Sequence, residues 1–218
     1  MLDRSRRAGV GVAGRAVGVL AAIASGVLRT LLEDLLAQWV RLGAPVARAL
    51  RPGLTDAELD AVSSELDLEL PNELRELWSW HDGCDRGGNG NIGPGGYQFL
   101  SSSDAIEAYR LNRRIHGEDP GDLPSDPYWR RSWVPFMTQD AQRLYIDCDR
   151  TTTTRTSPVR LVSWEWENFD VDVAPSLASA VSMWIWLLES DYYAWDPAGF
   201  VTPVASGQIP MFARWTLA

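Results

Sequence analysis

The hydrophobic period of this chain changes twice, and the change limits the architectures open to it. Between Leu31 and about residue 115 apolar side chains recur every three or four positions. From Trp133 to Val173 they alternate with polar ones, and from Ser176 to Ser190 the helical spacing returns. A stripe with period 3.6 cannot be buried as a strand, nor an alternating one as a helix. Helices, then a run of strands, then one helix predict an α+β domain, an antiparallel-rich sheet with helices packed mainly on one face. The alternating strand–helix order of a parallel sheet is absent.

The helical part divides at its own punctuation. Leu31, Leu32, Leu35, Leu36, Trp39, Val40 and Leu42 form one stripe that ends near Gly43. Thr55 with Glu58 three residues on is a capping box, and Leu59, Val62 and Leu66 follow on one face. Pro71 suits the first turn of a third helix carrying Leu74, Leu77 and Trp78, stopped by Asp82-Gly83. After a short strand at Tyr97–Leu100, Asp104 and Glu107 open a helix that runs through about Arg114.

In the alternating part, Leu144, Ile146 and Cys148 interleave with Tyr145, Asp147 and Asp149. Val162, Trp164 and Trp166 interleave with Ser163, Glu165 and Glu167, and Phe169, Val171 and Val173 with Asp170 and Asp172. Successive strand residues face opposite sides, so the expected sheet has one wet face. Asp147, Asp149, Glu165, Glu167, Asp170 and Asp172 are then six carboxylates on its polar side. Like charges so placed repel unless a basic protein, a divalent cation or solvent separates them, and all three remain open.

Charge narrows the partners. Residues 1–51 carry a net +5 and the remainder −14, so the body is strongly acidic. Such a surface repels nucleic acid and attracts basic partners. All 20 basic residues are arginine, which removes P-loop and Schiff-base chemistry, both of which need a lysine. The two cysteines, Cys84 and Cys148, are expected as buried thiols in a reducing compartment. With His81 and His116 they hold the atoms of a zinc site but not its spacing, and no H-E-x-x-H, G-x-S-x-G or C-x-x-C occurs. No cofactor or metal is expected. Gly88-Asn89-Gly90-Asn91-Ile92-Gly93 spells G-x-G-x-x-G, but it follows a helix and runs into Pro94-Gly95-Gly96 instead of leaving a strand. The segment 83–96, seven glycines in fourteen residues, is expected as a flexible surface loop.

Residues 1–30 differ from the rest. They are arginine-rich, and the apolar run from Ala16 to Leu28 is shorter than the roughly 20 residues that span a bilayer. Ala22-Ile23-Ala24 before Ser25 fits a signal cleavage site. A flexible or weakly helical extension, a signal segment and an upstream start are the three options. The expected organisation is a leader over 1–30, one domain over 31–190, and an extension over 191–218 that packs on it or is loosely ordered. The expected location is cytoplasmic, with export through the signal-like segment as the alternative.

Four segments resemble a known family. Leu70-Pro71-Asn72-Glu73-Leu74-Arg75, ending in His81-Asp82-Gly83, is similar to the LP-x-x-L-R…(N/D)-G segment of the SUKH superfamily. Trp133-Val134-Pro135-Phe136 resembles its W-x-P strand, Leu144-Tyr145-Ile146-Asp147-Cys148-Asp149 its D-x-D strand, and Ala174-Pro175-Ser176-Leu177 the entry to its last helix. They occur in the family's order over about residues 35–190. One departure stands out: the glycine turn usual between the second and third segments is here Gln139-Asp140-Ala141-Gln142.

The resemblance implies a SUKH-like fold in a group that includes bacterial toxin-immunity proteins and fungal cell-wall assembly regulators. It implies a non-catalytic protein that neutralises a cognate toxin, a basic nuclease domain being one candidate, through an acidic surface with Tyr145 as an anchor. The alternatives are a scaffold or regulator of cell-envelope assembly and a metal-dependent hydrolase using the sheet-face carboxylates.

Overall fold

A computed structural model describes residues 26–85, 91–116, 129–140, 142–151, 156–163, 169–195 and 201–203. Helix α1 covers 26–41, followed by α2 (Val46–Ala49), α3 (Asp56–Leu66), α4 (Asn72–Trp80) and α5 (Ser102–His116). The last helix is α6 (Leu177–Glu189). Strands β1 (Gln98–Phe99), β2 (Trp133–Gln139), β3 (Gln142–Asp147), β4 (Val159–Ser163) and β5 (Phe169–Ala174) form one antiparallel sheet in sequential order. β6 (Tyr193–Trp195) and β7 (Val201–Pro203) make a separate hairpin. The fold is α+β, as the change of period predicts.

The local rules act where they were read. Thr55 Oγ accepts the Glu58 amide at 3.3 Å while the Glu58 carboxylate accepts the Thr55 amide at 2.8 Å, so the capping box is complete. Leu59, Val62 and Leu66 are buried beneath it. The turn from β2 to β3 shows how the chain does without the usual glycine: Asp140 takes φ +42°, the left-handed region that aspartate tolerates better than most residues.

Helix α1 is already formed at residue 26, earlier than the expected start at Leu31, and Leu28 is completely buried in the core with Leu32, Leu35 and Trp39. It is fastened at several points. The Arg29 amide donates to Glu76 at 3.0 Å, the Trp80 indole to Glu33 at 2.9 Å, and Gln38 to Glu189 at 3.1 Å.

The glycine-rich segment is also better anchored than expected. Ile92 is fully buried, its carbonyl accepts the Trp39 indole N–H at 2.8 Å, and Asn91 bridges to Gln98. Residues 86–90 at its tip lie outside the described residues.

One expectation fails in the middle of the sheet. Trp133 to Met137 on β2, with Pro135 among them, and Leu144 to Asp147 on β3 are all buried, so both faces there are covered. The cover is aromatic. Trp133 stacks on Tyr145 with ring centroids 4.4 Å apart, and Trp129, from the proline-rich connection, closes over both rings. The guanidinium groups of Arg130 and Arg160 lie 5.6 and 5.8 Å from the Trp133 ring centre, within cation–π range.

Candidate protein-binding surface

The sheet carboxylates do not form a common exposed face among the described residues. Asp147 is 2% exposed and accepts the Ser132 hydroxyl at 2.8 Å, while the Cys148 amide bonds the Ser132 carbonyl at 2.8 Å. It is a bracket holding the segment before β2 onto β3. Tyr145 is fully buried in the aromatic stack, its hydroxyl accepting Arg160 Nε at 3.0 Å. Asp149 is exposed, but it lies past the end of β3 in a 3-10 turn, Cys148–Arg150.

Asp172 is exposed and heavily countered. Arg150 grips it through two nitrogens, at 2.9 and 3.1 Å, and Arg160 donates to the same carboxylate. Asp170 lies on β5, opposite Val162 of β4. Glu165 and Glu167, with Trp164 and Trp166, lie outside the described residues. The alternation was present in the sequence, yet the chain places arginines and tryptophans from other segments over the face it marks.

A denser acidic surface lies on α3. Asp56, Glu58, Asp60, Glu65, Asp67 and Glu69 are all exposed, and no basic residue occurs between the first and the last. Helical geometry produces this: Leu59, Val62 and Leu66 take the inward stripe and the acids take the rest. The countercharges come from other elements. Arg75 of α4 reaches Asp60 at 2.9 Å and Asp56 at 3.9 Å, Arg110 of α5 reaches Glu65 at 2.9 Å, and Arg131 pairs with Asp67. Such exposed pairs are screened by water and contribute little to stability. Six acids against three arginines leave the face negative. The signal was in the sequence as Asp56-Ala57-Glu58-Leu59-Asp60, visible once that stretch is read for charge as well as period.

The His81-Asp82-Gly83 segment is a joint and not a reactive group. Asp82 is 5% exposed; one oxygen accepts the Ser102 amide at 2.7 Å, capping α5, and the other lies 3.6 Å from Arg51. Gly83 has φ +69°, and a Cβ on it would sit 2.2 Å from the Ser101 nitrogen. His81 Nδ1 meets the Arg51 carbonyl at 2.6 Å, and its ring packs edge-on to Trp80.

Glu73 is likewise buried. Its carboxylate accepts the amides of Leu177 and Ala178 at 3.2 and 3.0 Å, tying α4 to the start of α6. Burial pushes its pKa up against the pull of those donors.

Reactive chemistry finds little support in these positions. Cys84 and Cys148 are free thiols, and burial pushes that of Cys148 up to about 12, away from reactivity. No group of three or more metal-ligating side chains converges among the described residues. Of their clefts, an open one of about 360 Å³ lies between α3 and α5, lined by Glu65, Ile106, Arg110, Leu111 and Arg114. Ser103 and Glu107 also line it, and Glu65 there is paired with Arg110. No helix among these residues is long and apolar enough to cross a membrane.

Comparison with known proteins adds one finding. The model of the SMI1 / KNR4 family (SUKH-1) matches residues 53–183, and no curated protein matches the chain significantly. The matched span opens just before α3 and closes inside α6, so α1 and the β6–β7 hairpin lie outside it.

Proposed function

The chain belongs to the SMI1 / KNR4 family (SUKH-1), and from that premise we propose that it is a non-catalytic immunity protein, one that neutralises a cognate toxin by direct contact through an acidic surface. The family includes toxin-immunity proteins and cell-wall regulators and works through protein interactions. The observation that carries the proposal is the exposed run of carboxylates from Asp56 to Glu69 on α3 and its C-terminal flank. Asp149, exposed at the end of β3, is a further contact of the same sign.

A negative face of this kind suits a basic toxin domain such as a nuclease. It takes the place of phosphates, speeds encounter and fixes register, while apolar contacts supply the holding energy. The hydrolase alternative loses ground because Asp147 and Asp172, two of its candidate carboxylates, already serve Ser132 and two arginines.

The test is protection in cells. The chain is co-expressed with each toxin-like protein found encoded next to its gene, and survival is compared with that given by the double variant Asp60→Asn, Glu65→Gln, which leaves the Thr55–Glu58 cap intact. Survival with the native chain and loss of protection with the double variant support the proposal. Failure of the native chain to protect, together with tight capture of an envelope-assembly protein, transfers the assignment to the regulator class.

A further inference from the structure

Leu111 stands outside the apolar stripe of its own helix. On α5, Ala105, Ile106, Tyr109 and Asn112 are buried, while Leu111 is 47% exposed. A single exposed leucine is ordinary on a protein surface, and it is the surroundings that give this one a use. It lines the cleft of about 360 Å³ between α3 and α5. Ile106, which is buried, lines the same cleft from deeper in the packing. One buried and one half-exposed aliphatic chain thus give the cleft an apolar floor.

The charges around that floor are sorted. Glu65 stands on the α3 side and belongs to the acidic run from Asp56 to Glu69, so the cleft continues the proposed binding face. Arg110 reaches across to Glu65 at 2.9 Å. One helical turn further on, Arg114 lines the cleft, is exposed, and makes no ion pair among the described residues. A partner that is basic opposite α3 therefore needs two further groups to seat on this cleft: an apolar side chain over Ile106 and Leu111, and a carboxylate for Arg114. A partner basic throughout would meet repulsion there. A second copy of this chain is the poorer occupant, since with a net charge of −9 it would set one acidic surface against another.

We propose that the α3–α5 cleft is the anchor pocket of the toxin interface: it receives one large apolar side chain, Leu, Met or Phe, from a basic segment of the partner, and a partner carboxylate beside that side chain pairs with Arg114. An apolar anchor in a pocket, ringed by charges that fix register, is how such interfaces commonly hold. The assignment rests on the immunity reading above and adds to it the chemistry of the partner.

Affinity for the toxin that the chain protects against in the co-expression test reads the two parts separately. Leu111→Ser should weaken the dissociation constant about tenfold or more at every salt concentration, because an apolar anchor is not screened. Val40→Ser, which alters a comparably exposed side chain on α1 outside the cleft, should leave it unchanged. Arg114→Gln supplies the sign: it should weaken binding about threefold or more, whereas an interface basic throughout would gain from losing the arginine. Arg114 is exposed, so this second variant decides the matter should thermal unfolding show that Leu111→Ser unsettles α5. A native chain that binds no such toxin brings down the immunity reading and this inference with it. A native chain that binds, while Leu111→Ser binds as tightly or Arg114→Gln binds no less tightly, overturns the anchor pocket alone.

Discussion

Glycine 83 shows how a short motif can be plain in a sequence while its purpose is not. Asp82-Gly83 reads as a helix stop, but α4 already ends at Trp80 with His81 extended, and Gly83 instead lets the chain pass against residues 100 and 101. Gly83→Ala should therefore cost about 3 kcal/mol, from the left-handed backbone and the clash together. Gly43 is the control: it has φ +82° with open space around it, so Gly43→Ala should cost only about 1 kcal/mol. Urea midpoints measure both, and equal losses would contradict the role given to the contact with Ser101.

Glu73 gives a pH dependence with a definite sign. Burial holds its pKa above the ordinary 4.5, so the folded chain binds this proton more tightly than the unfolded one. Its contribution to stability is then complete below pH 4.5 and is lost as the pH climbs through the raised value. Unfolding free energies of the native chain and Glu73→Gln, measured from pH 4 to neutral, should show the native chain losing ground as pH rises. A difference that does not vary with pH would contradict this. Neither Glu73 nor Asp147 was legible as an internal bracket, because the partners, Leu177, Ala178 and Ser132, are remote in sequence or belong to irregular chain.

Among the elements, those set by local rules were legible and those set by distant packing were not. The α3 cap, the start of α4 at Pro71 and the order of β2, β3 and β5 follow from residues within a few positions of one another. The covered sheet face is not legible in the alternation because its cover, Trp129 and Arg130, belongs to a connection without any period. The true start of α1 is hidden for a related reason, as Leu28 sits at the end of a stretch of glycine, alanine and valine that resembles a leader more than a core helix. Leu28→Ala tests its membership of the domain. Removing a fully buried leucine should cost about 3 kcal/mol by thermal or chemical unfolding. A loss below about 0.5 kcal/mol, the range of surface substitutions, would place residue 28 outside the cooperative unit.

For the whole molecule, charge and fold separate cleanly. The family body is built by aromatic and aliphatic packing around the five-stranded sheet, and its exposed acids contribute little to that packing. Under the proposed function another protein would contact them on α3, where they face solvent beside Arg75, Arg110 and Arg131, and not at Tyr145 and Asp147, which lie in the core.

The affinity of the purified chain for the toxin it protects against in the co-expression test, followed by calorimetry as sodium chloride rises from 50 to 300 mM, tests this most directly. The dissociation constant should weaken at least tenfold across the series, and Asp60→Asn with Glu65→Gln should flatten the slope. Absence of binding at the lowest salt, or an affinity indifferent to both salt and those two residues, would contradict it.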